Sequence, residues 1–223
     1  MIGITGPPGA GKSTLVDALA AHWAANREAV AVLAGFPSSP YSGGALLGDR
    51  IRMERSAEYP GIYFRSLSSR GHVGGVSSTT AEILPLLVHA GFTRVVIETV
   101  GAGQADIDVV NLADCVVVVS VPGLGDQVQA SKAGLMEIGD VYVINKSDRP
   151  GGRSTLAEID RALATRYMGQ PGVNRWEPAS DRDAAASLSP GVRALNLRHG
   201  DPASDFMGER INHQAGPGYI RPG

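Results

Sequence analysis

Cysteine is nearly missing from this chain. Its one copy in 223 residues, Cys115, has no internal partner for a disulfide, and nothing else points to an oxidising compartment. An excess of either charge is missing too. Twenty Lys and Arg stand against 22 Asp and Glu, a net charge of -2 with a pI near 6.2. That balance provides no global field to attract nucleic acid or an anionic membrane, so neither is expected as a partner. No apolar run approaches the ~20 residues needed to span a bilayer. The N-terminus opens on Ile2-Gly3-Ile4-Thr5, without the basic segment of a signal peptide, and a cytoplasmic location is expected. There is no internal repeat. What remains is 43% hydrophobic and 19% charged, long enough for one sizeable α/β core and not for two full domains.

Short β-branched runs alternate with helix-like segments. Ile2 to Thr5, Ala29 to Leu33, Val95 to Thr99, Val116 to Val121 and Val141 to Asn145 read as strands. The last three are continuous apolar runs, the mark of strands buried on both faces of a parallel sheet. Helices are expected after the first strand, with Leu15, Val16, Leu19 and Trp23 on the apolar face, and at Thr79 to Ala90, Asp126 to Ile138 and Ser154 to Tyr167. The second opens with a capping-box pattern, Thr79 followed by Glu82, and Pro85 inside it should kink it or delay its start. The expected fold class is α/β, a doubly wound, mostly parallel sheet flanked by helices, with ligands at the carboxyl ends of the strands. Periodicity fades after about Trp176, so a folded domain is expected over 1–178 and an irregular tail over 179–223.

The chemistry begins at Gly6-Pro7-Pro8-Gly9-Ala10-Gly11-Lys12-Ser13, a full G-x-x-x-x-G-K-S phosphate loop. Its glycines let the backbone wrap around phosphates, so that N–H groups of the loop and of the following helix turn, through Thr14, point inward. Lys12 supplies a point charge to the β- and γ-phosphates, and Ser13 offers a hydroxyl to Mg²⁺. The second anchor is Asn145-Lys146-Ser147-Asp148, directly after a strand. A carboxylate at Asp148 can accept both N1–H and the 2-amino group of guanine, a donor pair that adenine lacks. Asn145 and Lys146 join it in the expected nucleotide site. Between the anchors lies Glu98-Thr99-Val100-Gly101. Glu98 can hold Mg²⁺ through water, and Gly101 can give its N–H to a γ-phosphate; the alternative is a strand-end carboxylate facing solvent. Gln104, beyond Gly101 and Gly103, either orients water or is an ordinary loop glutamine.

Further strings carry a family resemblance. Pro37-Ser38-Ser39-Pro40, Ser42-Gly43-Gly44-Ala45-Leu46-Leu47-Gly48-Asp49-Arg50, Arg70-Gly71-His72-Val73-Gly74-Gly75, Glu98 to Gln104 and Lys132-Ala133-Gly134-Leu135-Met136-Glu137-Ile138 resemble the MeaB/ArgK family from about Ile2 to Asp148. The resemblance implies a P-loop NTPase fold with a SIMIBI-type GTPase core, the class that also holds the nickel chaperones of hydrogenase and urease. It implies hydrolysis of GTP to GDP and phosphate in the service of an adenosylcobalamin-dependent methylmalonyl-CoA mutase, as a chaperone that gates cofactor loading. Asp49 and Glu98 then belong with Ser13 to the magnesium region, and Lys12, Glu98 and Gln104 carry catalysis.

The chain departs from the family pattern at Phe36, where an Asp precedes Pro-Ser-Ser. That loss would weaken metal binding or hydrolysis unless Asp49 and Glu98 suffice. Family members also carry a helical extension before the first strand and a dimer-building helical arm; a homodimer is possible, although no such arm is recognisable in this tail. The rival readings are a catalytically impaired GDP/GTP-binding module and a kinase related to lysine/arginine/ornithine transport systems. His22, His89, His199 and His213 have no metal-site spacing, while His72, between Arg70 and Gly74-Gly75, either touches phosphate or a partner or is a structural loop histidine. Arg50, Arg52, Arg55, Arg65 and Arg70 form a basic stretch that supplies a charge to the transition state, contacts an acidic partner or is a solvated, salt-bridged face.

Overall fold

In the computed structural model, residues 1–36, 58–68, 78–101, 104–123, 129–166 and 193–196 are described. Along them run β1 (Ile2–Thr5), α1 (Lys12–Ala25), β2 (Val30–Phe36), β3 (Ile62–Ser68), α2 (Ser78–His89) and β4 (Arg94–Glu98). A 3-10 helix at Gln104–Asn111 follows, then β5 (Cys115–Ser120), α3 (Gln129–Ile138), β6 (Val141–Ile144), α4 (Gly152–Arg166) and β7 (Arg193–Asn196). The strands form one sheet in the order β3-β2-β4-β1-β5-β6-β7, and every pairing is parallel.

The continuous apolar runs become central strands because both faces of the sheet are covered. Ile2, Ile4, Val30, Val32, Val96, Val117 and Val119 fall on one face, against Leu15, Val16, Leu19 and Trp23 of α1. Their neighbours Ala31, Leu33, Val95, Ile97, Val116, Val118 and Ile144 fall on the other. There they share a cluster with Leu84 and Leu87 of α2, Leu135 of α3 and Ile159 of α4. Each fully buried Val or Ile contributes about 1.5–3 kcal/mol relative to exposure, so a polar residue on either face would be costly. β1 sits between β4 and β5, so strands lie on both sides of it and its carboxyl end opens a crevice. Among the described residues, no helix is long and apolar enough to cross a membrane.

One contact near that crevice is unusually close. A Cβ on Gly3 would stand 2.5 Å from Val109 Cγ2 and 3.1 Å from Ala113 Cβ. The absent side chain thus lets the 3-10 helix seat directly on β1. Gly3→Ala should destabilise by about 1–3 kcal/mol, because a branched, fully buried neighbour cannot yield freely. A fall in melting temperature of about 2–4 °C per kcal/mol would register it, whereas an unchanged transition would show that Val109 simply moves aside.

Two strands were not foreseen in the sequence. β3 alternates, with Tyr63 and Arg65 exposed and Ile62 and Phe64 half-buried, because among the described strands it lies at the sheet edge, paired with β2 alone. A search for continuous apolar runs passes over such a strand. β7, at the opposite edge, lies within the expected irregular tail; the rest of 179–223 is outside the described residues. Pro85 does not delay α2, which begins at Ser78 and continues through it to His89. Proline removes one backbone donor, and an exposed position there leaves the acceptor it deprives open to water.

Candidate functional site

The phosphate loop connects β1 to α1 at the crevice. Gly6, Gly9 and Gly11 take positive φ of 139°, 75° and 90°, and Ala10 N–H donates to Pro7 O at 3.2 Å to tighten the turn. Gly11 is the N-cap of α1 in a left-handed conformation, and a Cβ there would collide with the Asn145 side-chain amide. Having no side chain, Gly11 leaves the N-terminal end of the helix to the loop. The first turn, Lys12, Ser13 and Thr14, carries no acidic residue, so the positive end of the helix dipole is not neutralised locally.

Lys12 is 6% exposed. Its Nζ donates to Gly6 O at 2.8 Å and to Pro7 O at 3.2 Å, which stretches the ammonium back across the loop. Ser13 Oγ donates to Glu98 Oε1 at 2.7 Å, and Glu98 is only 5% exposed at the end of β4. The carboxylate therefore points into the site rather than to solvent. Two hard oxygen donors held together beside the phosphate loop suit a Mg²⁺ ion. Gly101, buried at φ 83°, presses against the same place. A Cβ on it would meet Lys12 Nζ, Gly6 O and Pro8 N, so only glycine lets this backbone approach the loop so closely.

The Asn145-to-Asp148 segment leaves β6 at the same edge, with Asn145 N–H donating to Ser120 O at 2.8 Å. Asn145 Nδ2 donates to Ala10 O at 2.8 Å and its Oδ1 accepts from Lys146 N–H at 2.9 Å. Lys146 adopts a positive φ of 57° and its Nζ donates to Gly9 O at 3.0 Å. Asp148 follows, exposed. The segment expected to read the base is thus hydrogen-bonded to the loop expected to hold the phosphates.

Gly6, Gly9, Ala10, Gly11, Lys12, Ser13, Glu98, Gly101, Asn145 and Lys146 accordingly meet at one edge of the sheet, with Thr14 and Asp148 on its exposed margin. Asp49 and the side chains of Phe36 and Gln104 lie outside the described residues, although the Gln104 backbone opens the 3-10 helix. Thr5 and Thr99 were overlooked in the sequence. They close β1 and follow β4, fully buried, and Thr99 Oγ1 donates to Thr5 Oγ1 at 3.1 Å. A threonine at the end of each of two apolar runs was the available signal. Among the described residues, no group of three or more His, Cys, Asp or Glu could hold a metal ion by itself.

The chain is similar to several known proteins. The family model described as methylmalonyl Co-A mutase-associated GTPase MeaB matches residues 1–198. A Pyrococcus abyssi protein provisionally named a GTPase is 51% identical over 199 residues, 87% of this chain and 60% of that protein. GTPase ArgK of Escherichia coli is 38% identical over 179 residues, 79% of this chain and 54% of ArgK. The mitochondrial methylmalonic aciduria type A homolog of Caenorhabditis elegans is 38% identical over 181 residues, 79% of this chain and 45% of the homolog. The chain thus spans about half to three fifths of the length of these relatives. Among solved structures, a LAO/AO transport system kinase matches with a TM-score of 0.57 at 26% identity, over 95% of this chain and 56% of that one.

Proposed function

This chain belongs to the MeaB family of GTPases, and from that premise we propose that it binds guanine nucleotide at the β1 crevice and hydrolyses GTP slowly to GDP and phosphate. The observation that carries the reading is the hydrogen-bonded join between the two motifs, Asn145 Nδ2 to Ala10 O and Lys146 Nζ to Gly9 O. It makes one site of a phosphate cradle and a base reader.

The N-terminus of α1 and the loop N–H groups receive the β-phosphate, and Lys12 sets its positive charge between the β- and γ-phosphates. Asp148 accepts from N1–H and the 2-amino group of guanine. Gly101 offers its N–H to the γ-phosphate, which only the triphosphate possesses. Gln104 orients the attacking water. A Mg²⁺ ion held by Ser13 and Glu98, with Asp49, would neutralise charge on the phosphate oxygens. Catalysis on this account is positioning and electrostatics, with no covalent step on the protein.

Slow turnover suits a protein whose output is a conformational state. The family description and the methylmalonic aciduria homolog support an accessory role beside an adenosylcobalamin-dependent acyl-CoA mutase. Phe36, where the family pattern has Asp, favours a second reading: a module that reports occupancy without hydrolysis.

Nucleotide binding and phosphate release, measured together with Mg²⁺ on the natural chain and on Phe36→Asp, separate these. The expected result is binding of GDP and GTP by both, slow release by the natural chain, and release raised by up to about tenfold in the variant. Binding without release in the natural chain would establish the occupancy module instead, and failure to bind either nucleotide would overturn the whole reading.

A further inference from the structure

We propose that the buried hydroxyl pair Thr5–Thr99 is a positioning device, tying the phosphate loop to the backbone that meets the γ-phosphate; it rests on the guanine-nucleotide reading above. Thr5 is 0% and Thr99 2% exposed, and Thr99 Oγ1 donates to Thr5 Oγ1 at 3.1 Å. Valine would fill either position with the same volume and no polar demand, so burial alone does not call for a hydroxyl.

The placement argues for a specific task. Thr5 immediately precedes Gly6, whose carbonyl accepts from Lys12 Nζ at 2.8 Å. Thr99 immediately follows Glu98, the partner of Ser13, and stands two residues before Gly101. Gly101 in turn packs against Lys12 Nζ and Gly6 O. Thr99 N–H also donates to Ile4 O at 3.0 Å, so Thr99 is held to consecutive residues of β1, once by backbone and once by side chain. The side-chain bond lies two residues before Gly101.

Losing that bond leaves the strand ladder and the packing in place but unties the start of the turn. A backbone N–H aimed at a phosphate oxygen depends on tenths of an ångström. GDP uses the loop and the base edge and has no γ-phosphate for Gly101 to meet. The pair should therefore govern triphosphate recognition and leave diphosphate recognition alone.

The test uses the full chain with Thr99→Val, Thr99→Ser and the double variant Thr5→Val/Thr99→Val. Affinities for GDP and for a non-hydrolysable GTP analogue are measured by titration. Thr99→Val should weaken the analogue about tenfold while GDP stays within about twofold, and Thr99→Ser, which keeps the hydroxyl, should restore the analogue. The double variant leaves no unpaired hydroxyl behind, so the same selective loss there assigns the effect to the missing tether. It also carries the measurement should Thr99→Val not fold. Equal losses for both nucleotides, or none for either, would overturn the role of the pair. Failure of the natural chain to bind guanine nucleotide would instead overturn the reading on which the pair depends.

Discussion

Lys12→Ala will abolish measurable GTP hydrolysis and lower GTP affinity. The side chain is almost fully buried and its ammonium lies against the Gly6 and Pro7 carbonyls, at the point where Gly101 also closes in. It is the one cation among the described residues of the loop, so its removal takes the loop's own positive charge away from the bridging oxygen of a triphosphate. A charge-assisted hydrogen bond contributes about 1.5–3 kcal/mol, which corresponds to a loss of roughly 10- to 150-fold in affinity. The effect on the chemical step should be larger, about 10²–10³-fold, because negative charge moves toward the β–γ bridge as that bond breaks. Lys12→Arg should not rescue it: a planar guanidinium needs more room than a buried ammonium and presents a different donor geometry. Single-turnover phosphate release at saturating GTP separates the chemical step from binding. Release within about threefold of the natural chain would remove Lys12 from the mechanism.

Asp148→Asn should change which base is bound, with little effect on the fold. Asp148 is exposed, where substitutions usually shift stability by no more than about 0.5 kcal/mol. A carboxylate offers two acceptors to the two donors of guanine, whereas an amide offers one acceptor and one donor. The donor would then face a donor. GTP affinity should fall by about 10²–10³-fold, a site built to hydrogen-bond one partner being severe toward a mismatch. ATP should gain nothing. A xanthine nucleotide, with one N–H and one carbonyl on the same edge, should bind the variant better than GTP does. Competition titrations of the three nucleotides against the natural chain and the variant decide it, and unchanged GTP affinity would place the base elsewhere.

Much of this site is visible in the chain itself, because each motif is local. A glycine-rich turn after a short apolar strand, with Lys12 and Ser13 opening a helix, needs only neighbouring residues to be recognised. The same is true of Asn145 to Asp148 after Val141–Ile144. The five strands read from apolar runs are all present, four of them with ends shifted by a residue or more. β2 ran furthest beyond expectation, to Phe36 rather than Leu33, since Ala34, Gly35 and Phe36 pair along β3. That extension depended on a partner strand that had itself gone unread.

Local chemistry therefore determined the family, the α/β class and the two ends of the proposed nucleotide site. Only the tertiary structure decided that β4 lies beside β1 and that β6 lies one strand beyond β5. From that order come the contacts no spacing could supply: Ser13 to Glu98, Thr99 to Thr5, Asn145 to Ala10 and Lys146 to Gly9, spanning 85 to 137 positions. The reason is physical. A phosphate loop is specified by the conformational freedom of its glycines and by one helix end, both encoded nearby. A hydrogen bond across the sheet exists only once strand order and register have brought its two ends within about 3 Å.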